Sequence, residues 1–165
     1  MRRHVGISGL QTGEHVNYAD SSILVSVYAF EDAAQEAQKL LSGLSHPVPL
    51  NHFLLLEIRN AIRRKVPTGK ATKAQVKQML NGLEKSIAEG AGVFQEIELR
   101  RVFDRAEGLS EQFTEKLNTR TFDVLHVAIA IETECHSFMT FDKGQAKLAK
   151  AAGLKIIDHA RSRSR

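Results

Sequence analysis

The sequence predicts an α/β protein of three layers (α/β/α), with a central, mainly parallel sheet between helices. Three observations predict it. Short apolar, β-branched segments alternate with helical ones along the chain, and strands separated by helices pair in parallel through right-handed crossovers. Residues 122–134 carry Val124, Leu125, Val127, Ala128, Ile129 and Ile131 almost all round, the pattern of a centrally buried helix. Two acids, Asp20 and Asp142, stand where a strand gives way to a helix, the edge at which open α/β sheets bind their ligands.

The elements follow in order. Residues 15–19 read as a short strand leading into Asp20. Residues 21–30 are rich in β-branched types and could be strand by propensity alone. Ser26, Ala29, Glu31 and Asp32 suit a buried strand poorly, so a helix from Ser21 is preferred. A helix over 33–44 carries Ala37, Leu40, Leu41 and Leu44 on one side and stops around Gly43 and His46-Pro47. Residues 48–50 are extended. An apolar helix over 51–65, closed by Val66-Pro67-Thr68-Gly69, and a polar one over 71–88, striped by Val76, Met79, Leu80, Leu83 and Ile87, predict a helical hairpin over one sheet edge. Gly90-Ala91-Gly92 breaks the chain, and 93–99 then has room for a strand with Phe94, Ile97 and Leu99 as its apolar members. Helices are expected over 100–107 and 110–117, followed by the central helix, a strand at 136–140, a helix over 143–152 ended by Gly153, and a last strand at 154–157.

With 165 residues the chain suits one domain with a core of its own. Residues 1–14 are expected to form an N-terminal extension, 15–157 the domain, and 158–165 a basic, disordered tail. The lone cysteine, Cys135, excludes an intramolecular disulfide and a Cys-rich zinc site. There is neither an eighteen-residue apolar run nor a signal-peptide core, so a soluble, cytoplasmic protein without a membrane partner is the expectation. The net charge is +4, with basic residues gathered at Arg63, Arg64 and Lys65, at Lys70, Lys73 and Lys77, and in the tail. Such runs are ordinarily solvated faces, but they also suit a polyanionic substrate. The eight phenylalanines are assigned mostly to the core, and no aromatic-plus-basic pattern of a single-strand-binding module is present.

Four acids, Asp20, Glu57, Asp123 and Asp142, are embedded in otherwise apolar segments. Carboxylates avoid such places unless something compensates their charge. Taken singly, each has a plain explanation: helix N-caps for Asp20 and Asp142, a salt bridge to a nearby arginine for Glu57, and a first-turn dipole interaction for Asp123. Together they are better explained by a shared site. Three or four carboxylates supply the oxygen ligands preferred by Mg²⁺, with Mn²⁺ as a substitute. Crowded together without a cation they would repel, raising one or more pKa values. A divalent ion there would activate water and stabilise charge on a phosphoryl oxygen, the chemistry of phosphodiester hydrolysis.

Several neighbours could assist. Ser22 and Thr140 could orient water or phosphate, Asn60 could hydrogen-bond an acid or a ligand water, and Arg120 could meet phosphate or pair with an acid. His126, three residues after Asp123, reads as a packed or hydrogen-bonded core histidine, with general-base chemistry as the minor alternative. No His or Cys partner at a metal-site spacing favours zinc. Gly6, Gly9 and Gly13 lack the spacing of a phosphate loop.

These positions resemble the PIN-domain ribonucleases, and most closely the VapC-type toxins of bacterial and archaeal toxin–antitoxin pairs. The likeness runs through Tyr18-Ala-Asp-Ser-Ser-Ile-Leu-Val, Leu55-Leu-Glu-Ile-Arg-Asn-Ala, Thr121-Phe-Asp-Val-Leu-His-Val-Ala and Phe138-Met-Thr-Phe-Asp-Lys-Gly-Gln, and ends in Lys147-Leu-Ala-Lys-Ala-Ala-Gly-Leu. It spans roughly residues 15–157. By this resemblance Asp20, Glu57, Asp123 and Asp142 take the first to fourth acidic positions. It implies Mg²⁺- or Mn²⁺-dependent cleavage of RNA, a homodimer, and inhibition by a cognate antitoxin protein. Residues 1–14 and the basic tail are departures from the family pattern. A catalytically silent RNA-binding or regulatory protein of the same fold, a DNA nuclease and a metal-dependent phosphatase are the alternatives.

Overall fold

The computed structural model describes residues 16–157, so the expected extension at 1–14 and the tail at 158–165 lie outside the described residues. The elements are β1 (Asn17–Ala19), α1 (Ser21–Tyr28), α2 (Ala34–Ser42), β2 (Val48–Leu50), α3 (His52–Arg63), α4 (Lys73–Ala88), β3 (Gly92–Phe94), α5 (Leu99–Leu117), α6 (Thr121–Glu132), β4 (Ser137–Met139), α7 (Lys143–Ala151) and β5 (Lys155–Ile156). Every strand pairing is parallel. β1, β4 and β5 form one ladder with β4 in the middle, β2 and β3 form a second, and β2 runs beside β1 so that the two continue as one layered sheet. Helices cover both faces of this sheet.

The layering follows from the pleat. Successive residues of a strand face opposite sides of a sheet. Tyr18 and its register partner Phe138 enter a core with α5, α6 and α7, through Val102, Val127, Ile129 and Leu148. Ala19 and its partner Met139 enter a second core with α1, α3 and α4, through Ile23, Leu54, Ile58 and Leu83. Strands buried on both faces read as nearly continuous apolar runs, which is why Ser137-Phe138-Met139 is buried throughout.

Two expectations need correction. The two helices at 100–107 and 110–117 are one continuous α5. Gly108 lies inside it and costs helix propensity, but Val102, Ala106 and Leu109 form an unbroken buried stripe across it, and packing outweighs the roughly 1 kcal/mol a mid-helix glycine loses. Arg101 and Arg105 both reach Glu132 of α6, at 3.0 and 2.8 Å, and tie the long helix to the central one. The strand at 93–99 is also shorter, covering only Gly92–Phe94. Its last ladder bond runs from Gln95 N to Leu50 O at 2.7 Å, where β2 ends, so nothing remains for later residues to pair with. Residues 21–30 do begin as a helix, because the Asp20 side chain caps it by accepting from the backbone of Ser22 and Ile23.

Candidate active site

The carboxyl ends of β1 and β4 lie side by side, and their register continues one step further, with Asp20 N donating to Met139 O at 3.0 Å. The segment after β1 therefore meets the segment after β4. Asp20 is 2% exposed. Its Oδ1 accepts from Ser22 Oγ at 2.6 Å, Ser22 N at 3.0 Å and Ile23 N at 3.3 Å, and its Oδ2 accepts from Thr140 Oγ1 at 2.6 Å. Burial raises the Asp20 carboxyl above its ordinary value, opposed by the Ser22 and Thr140 hydroxyls and by the proximity of His126. The lattice of donors holds the group in place but does not fully replace water.

Thr140 serves both junctions, since its hydroxyl also receives Asp142 N at 2.9 Å. Asp142 caps α7, its Oδ1 accepting from Gly144 N at 2.7 Å and Gln145 N at 3.0 Å, and it is exposed rather than buried. Both acids at strand ends are thus N-caps, and in the case of Asp20 the cap is also a desolvated charge. Asp123, half-buried in the first turn of α6, accepts from Arg120 N at 3.1 Å.

Glu57 projects from α3 toward α6. Its Oε2 lies 2.5 Å from His126 Nε2, and His126 Nδ1 lies 2.8 Å from the Tyr18 hydroxyl. Burial alone would raise the Glu57 carboxyl, but the hydrogen bond and charge of His126, helped by Ser21, hold it below the ordinary value. The Tyr18 phenol moves the other way, pushed well up by burial and by the nearby charges of Asp20, Cys135 and Glu57. An ionised carboxylate can only accept, and a phenol held protonated can donate. In the neutral imidazole these partners put the proton on Nε2, toward Glu57, and leave Nδ1 to accept from Tyr18. His126 is 2% exposed; it is indeed a hydrogen-bonded core histidine, and what it bonds is one of the four acids.

Beside Glu57, between α3 and α6, opens a cavity of about 390 Å³ whose wall includes Ser21, Asn60, Arg64 and Phe122. Phe122 is 57% exposed and Leu56 66%. This corrects the assignment of the phenylalanines to the core, since Phe30, Phe94, Phe103 and Phe122 all reach solvent. Helical period alone would bury it, because Phe122 shares a face with His126 and Ile129; it reaches solvent because it stands in the first turn, at the end of α6.

The structure thus joins Asp20 to Ser22 and Thr140, Thr140 to the backbone of Asp142, and Glu57 to His126, while Asn60 shares the cavity with Glu57. Among the described residues no three His, Cys, Asp or Glu side chains gather as a ready group for a metal ion. The donor chemistry nevertheless fits a hard cation: the available atoms are carboxylate and hydroxyl oxygens, and among the described residues no cationic side chain forms an ion pair with the buried Asp20. Mg²⁺ keeps several waters and commonly takes only one or two carboxylates directly, so its requirement is smaller than a three-acid cluster.

The PIN domain family profile matches residues 18–151. Several solved structures share the fold. FitAcB from Neisseria gonorrhoeae superposes with a TM-score of 0.61 at 13% identity, covering 87% of this chain and 97% of that one. VapBC2 from Rickettsia felis, bound to a DNA fragment from its promoter, gives 0.59 at 14% identity, covering 86% and 97%. VapC20 from Mycobacterium tuberculosis, a toxin that cleaves the sarcin-ricin loop, gives 0.56 at 15% identity, covering 84% and 95%. No curated protein sequence matches significantly. Identities this low speak for the fold alone, but the profile spans most of the chain, both strand-end acids included, and on that ground the chain belongs to the PIN-domain family.

Proposed function

We propose that this protein is a metal-dependent endoribonuclease that hydrolyses RNA phosphodiesters, the toxin of a type II toxin–antitoxin pair, acting as a homodimer restrained by a cognate antitoxin. One observation carries the catalytic part: the desolvated Asp20 carboxylate, fixed by Ser22 and Thr140 at the carboxyl ends of two parallel strands, in a PIN fold. A structural cap needs neither such burial nor a hydroxyl on each oxygen. The likeness to toxin structures supports the biological part of the reading.

Asp20, Glu57, Asp123 and Asp142 would hold Mg²⁺ or Mn²⁺, directly or through water. A bound divalent ion would supply an activated water and charge stabilisation at the phosphoryl group. The protein's own part is orientation. Ser22 and Thr140 fix both oxygens of Asp20, and His126, anchored by Tyr18, fixes one oxygen of Glu57, with Ser21 as a further partner of that carboxylate. Asn60 and Arg64, on the cavity wall, would meet the RNA, with Arg63 and Arg120 exposed nearby in sequence to hold its backbone. Among the described residues no helix is long and apolar enough to cross a membrane.

A second reading is an RNA-binding protein that keeps the fold without turnover, favoured by the lack of three gathered acidic or histidine ligands among the described residues. Cleavage mapping on total RNA with added Mn²⁺ separates the two. Defined ends that appear with the wild-type chain and vanish with Asp20→Asn support the nuclease; RNA binding without any cleavage overturns it. Parallel incubations with single-stranded DNA and a small phosphoester test the substrate class.

A further inference from the structure

The cavity beside Glu57 has one wall that the acidic centre does not use. Phe122 stacks on Phe53 with ring centroids 5.5 Å apart and planes 24° from parallel. Phe53 in turn meets His126 edge-on at 5.1 Å and 68°, and His126 holds Glu57. A line of contacts therefore runs from an exposed aromatic ring to a carboxylate of the candidate centre. The outer ring is 57% exposed although it sits in the first turn of a strongly apolar helix, and Leu56 on the same cavity wall is 66% exposed. An exposed ring braced from behind by a second ring is a rigid surface, and nothing in the fold covers it among the described residues.

The rest of the wall is polar in a particular way. Asn60 offers an amide with both donor and acceptor, and Arg64 a guanidinium. Neighbouring cations are already paired, Arg59 with Glu84 at 2.7 Å and Lys65 with Glu31 at 2.6 Å, while Arg64 stays on the cavity wall. A flat apolar ring, an amide able to read a hydrogen-bonding edge, and a cation for phosphate make up the set that recognises an unstacked nucleotide. A cavity of about 390 Å³ lies within the range of small-ligand pockets. An apolar protein segment would use Phe122 and Leu56 but has no need of an amide and a guanidinium at the same wall.

We infer that Phe122, braced by Phe53, is the stacking platform for one unpaired base of the RNA beside the scissile phosphate, with Asn60 at the base edge and Arg64 at the adjoining phosphate. This rests on the ribonuclease reading of the centre and assigns the ring that would hold one unstacked base there, since a base inside a duplex offers no free face to it.

The test is binding of a short, single-stranded oligoribonucleotide to the full chain in EDTA, followed by fluorescence anisotropy. Loss of one base–ring stack is worth about 1–3 kcal/mol, so Phe122→Ala should weaken binding about ten-fold. Phe122→Trp should retain affinity, and Phe103→Ala, which removes another exposed ring, should leave it unchanged. An oligonucleotide lacking one base at the platform position should bind wild type and Phe122→Ala alike. Unchanged affinity in Phe122→Ala, or an equal loss with every abasic oligonucleotide, overturns the platform and leaves the surface to a protein partner. The two readings fail separately: RNA bound with base-dependent loss in Phe122→Ala but never cleaved in Mn²⁺ removes the nuclease, whereas cleavage with no effect of Phe122 removes the platform.

Discussion

His126 Nε2 lies 2.5 Å from Glu57 Oε2, and this contact joins α6 of one helical layer to α3 of the other across the end of β1. Tyr18, on β1 itself, holds the far nitrogen of the ring. The carboxylate is therefore aimed by a chain of three side chains drawn from the sheet and both layers. Replacing His126 by Gln should lower cleavage about ten-fold or more, the usual cost of losing a group that orients a ligand, with RNA affinity in EDTA unchanged. A fall in affinity that matches the fall in rate would mean that His126 shapes the RNA surface instead. His126→Ala should in addition cost roughly 2–4 kcal/mol of stability, because it leaves a cavity and unpaired groups on Tyr18 and Glu57.

Asp20→Asn should separate charge from shape. Burial raises the Asp20 carboxyl, so the folded chain takes up this proton more readily than the unfolded one. The stabilisation by protonation is complete below the ordinary aspartate range and is lost as pH rises through the elevated folded value. Near neutral pH the wild type carries a costly buried charge that the amide does not. The variant should melt at the same or a higher temperature there, and any advantage should shrink in acid. Mn²⁺ should raise the melting temperature of the wild type by mass action and leave Asp20→Asn unmoved; equal shifts in both would place the ion elsewhere.

Cys135 should be inert in the native protein. Its thiol is pushed up to about 11 by burial, against a weaker opposing contact with Thr133, and only the thiolate reacts with alkylating reagents. Iodoacetamide at mildly alkaline pH should label it only after unfolding. Rapid labelling of the folded chain would show that the α6–β4 turn opens.

Gly92 is required for the pairing of β2 with β3. A Cβ there would fall 2.5 Å from Leu50 Cδ1, 2.6 Å from Leu50 Cγ and 3.0 Å from Val48 O. Leu50 is 5% exposed and has little room to withdraw. Gly92→Ala should destabilise the fold by about 1–3 kcal/mol, the usual cost of overpacking a core, read as a lower urea midpoint. Gly82→Ala on α4, where a Cβ meets nothing, should instead be neutral or stabilising.

The helices were legible because periodicity and capping agree: Asp20, Asn51, Thr72 and Asp142 each cap the helix that the apolar spacing predicts. The break expected near Gly108 was misplaced because glycine's cost is local while the stripe from Val102 to Leu109 is held by a whole neighbouring helix. The end of β3 was not legible either, since it is set by where β2 stops, a partner far away in sequence. Asp20 and Glu57 stood out as charges in apolar surroundings. The link from Glu57 to Tyr18 through His126 did not, because it joins residues 69 and 108 positions apart. The exposure of Phe122 is not legible for a different reason: its phase on α6 matches the buried His126 and Ile129, and only its place in the first turn leaves it in solvent.

The bond from Thr140 to Asp20 spans 120 residues. While the chain is being made, Asp20, Ser22 and Glu57 emerge long before β4, and until β4 docks beside β1 the acid has neither its second hydroxyl nor its place at a sheet edge. Domains fold as units during synthesis, so a chain halted before its last third would carry Asp20 and Glu57 but no assembled centre. The topology thus leaves the second hydroxyl on Asp20 waiting for a strand made more than a hundred residues later.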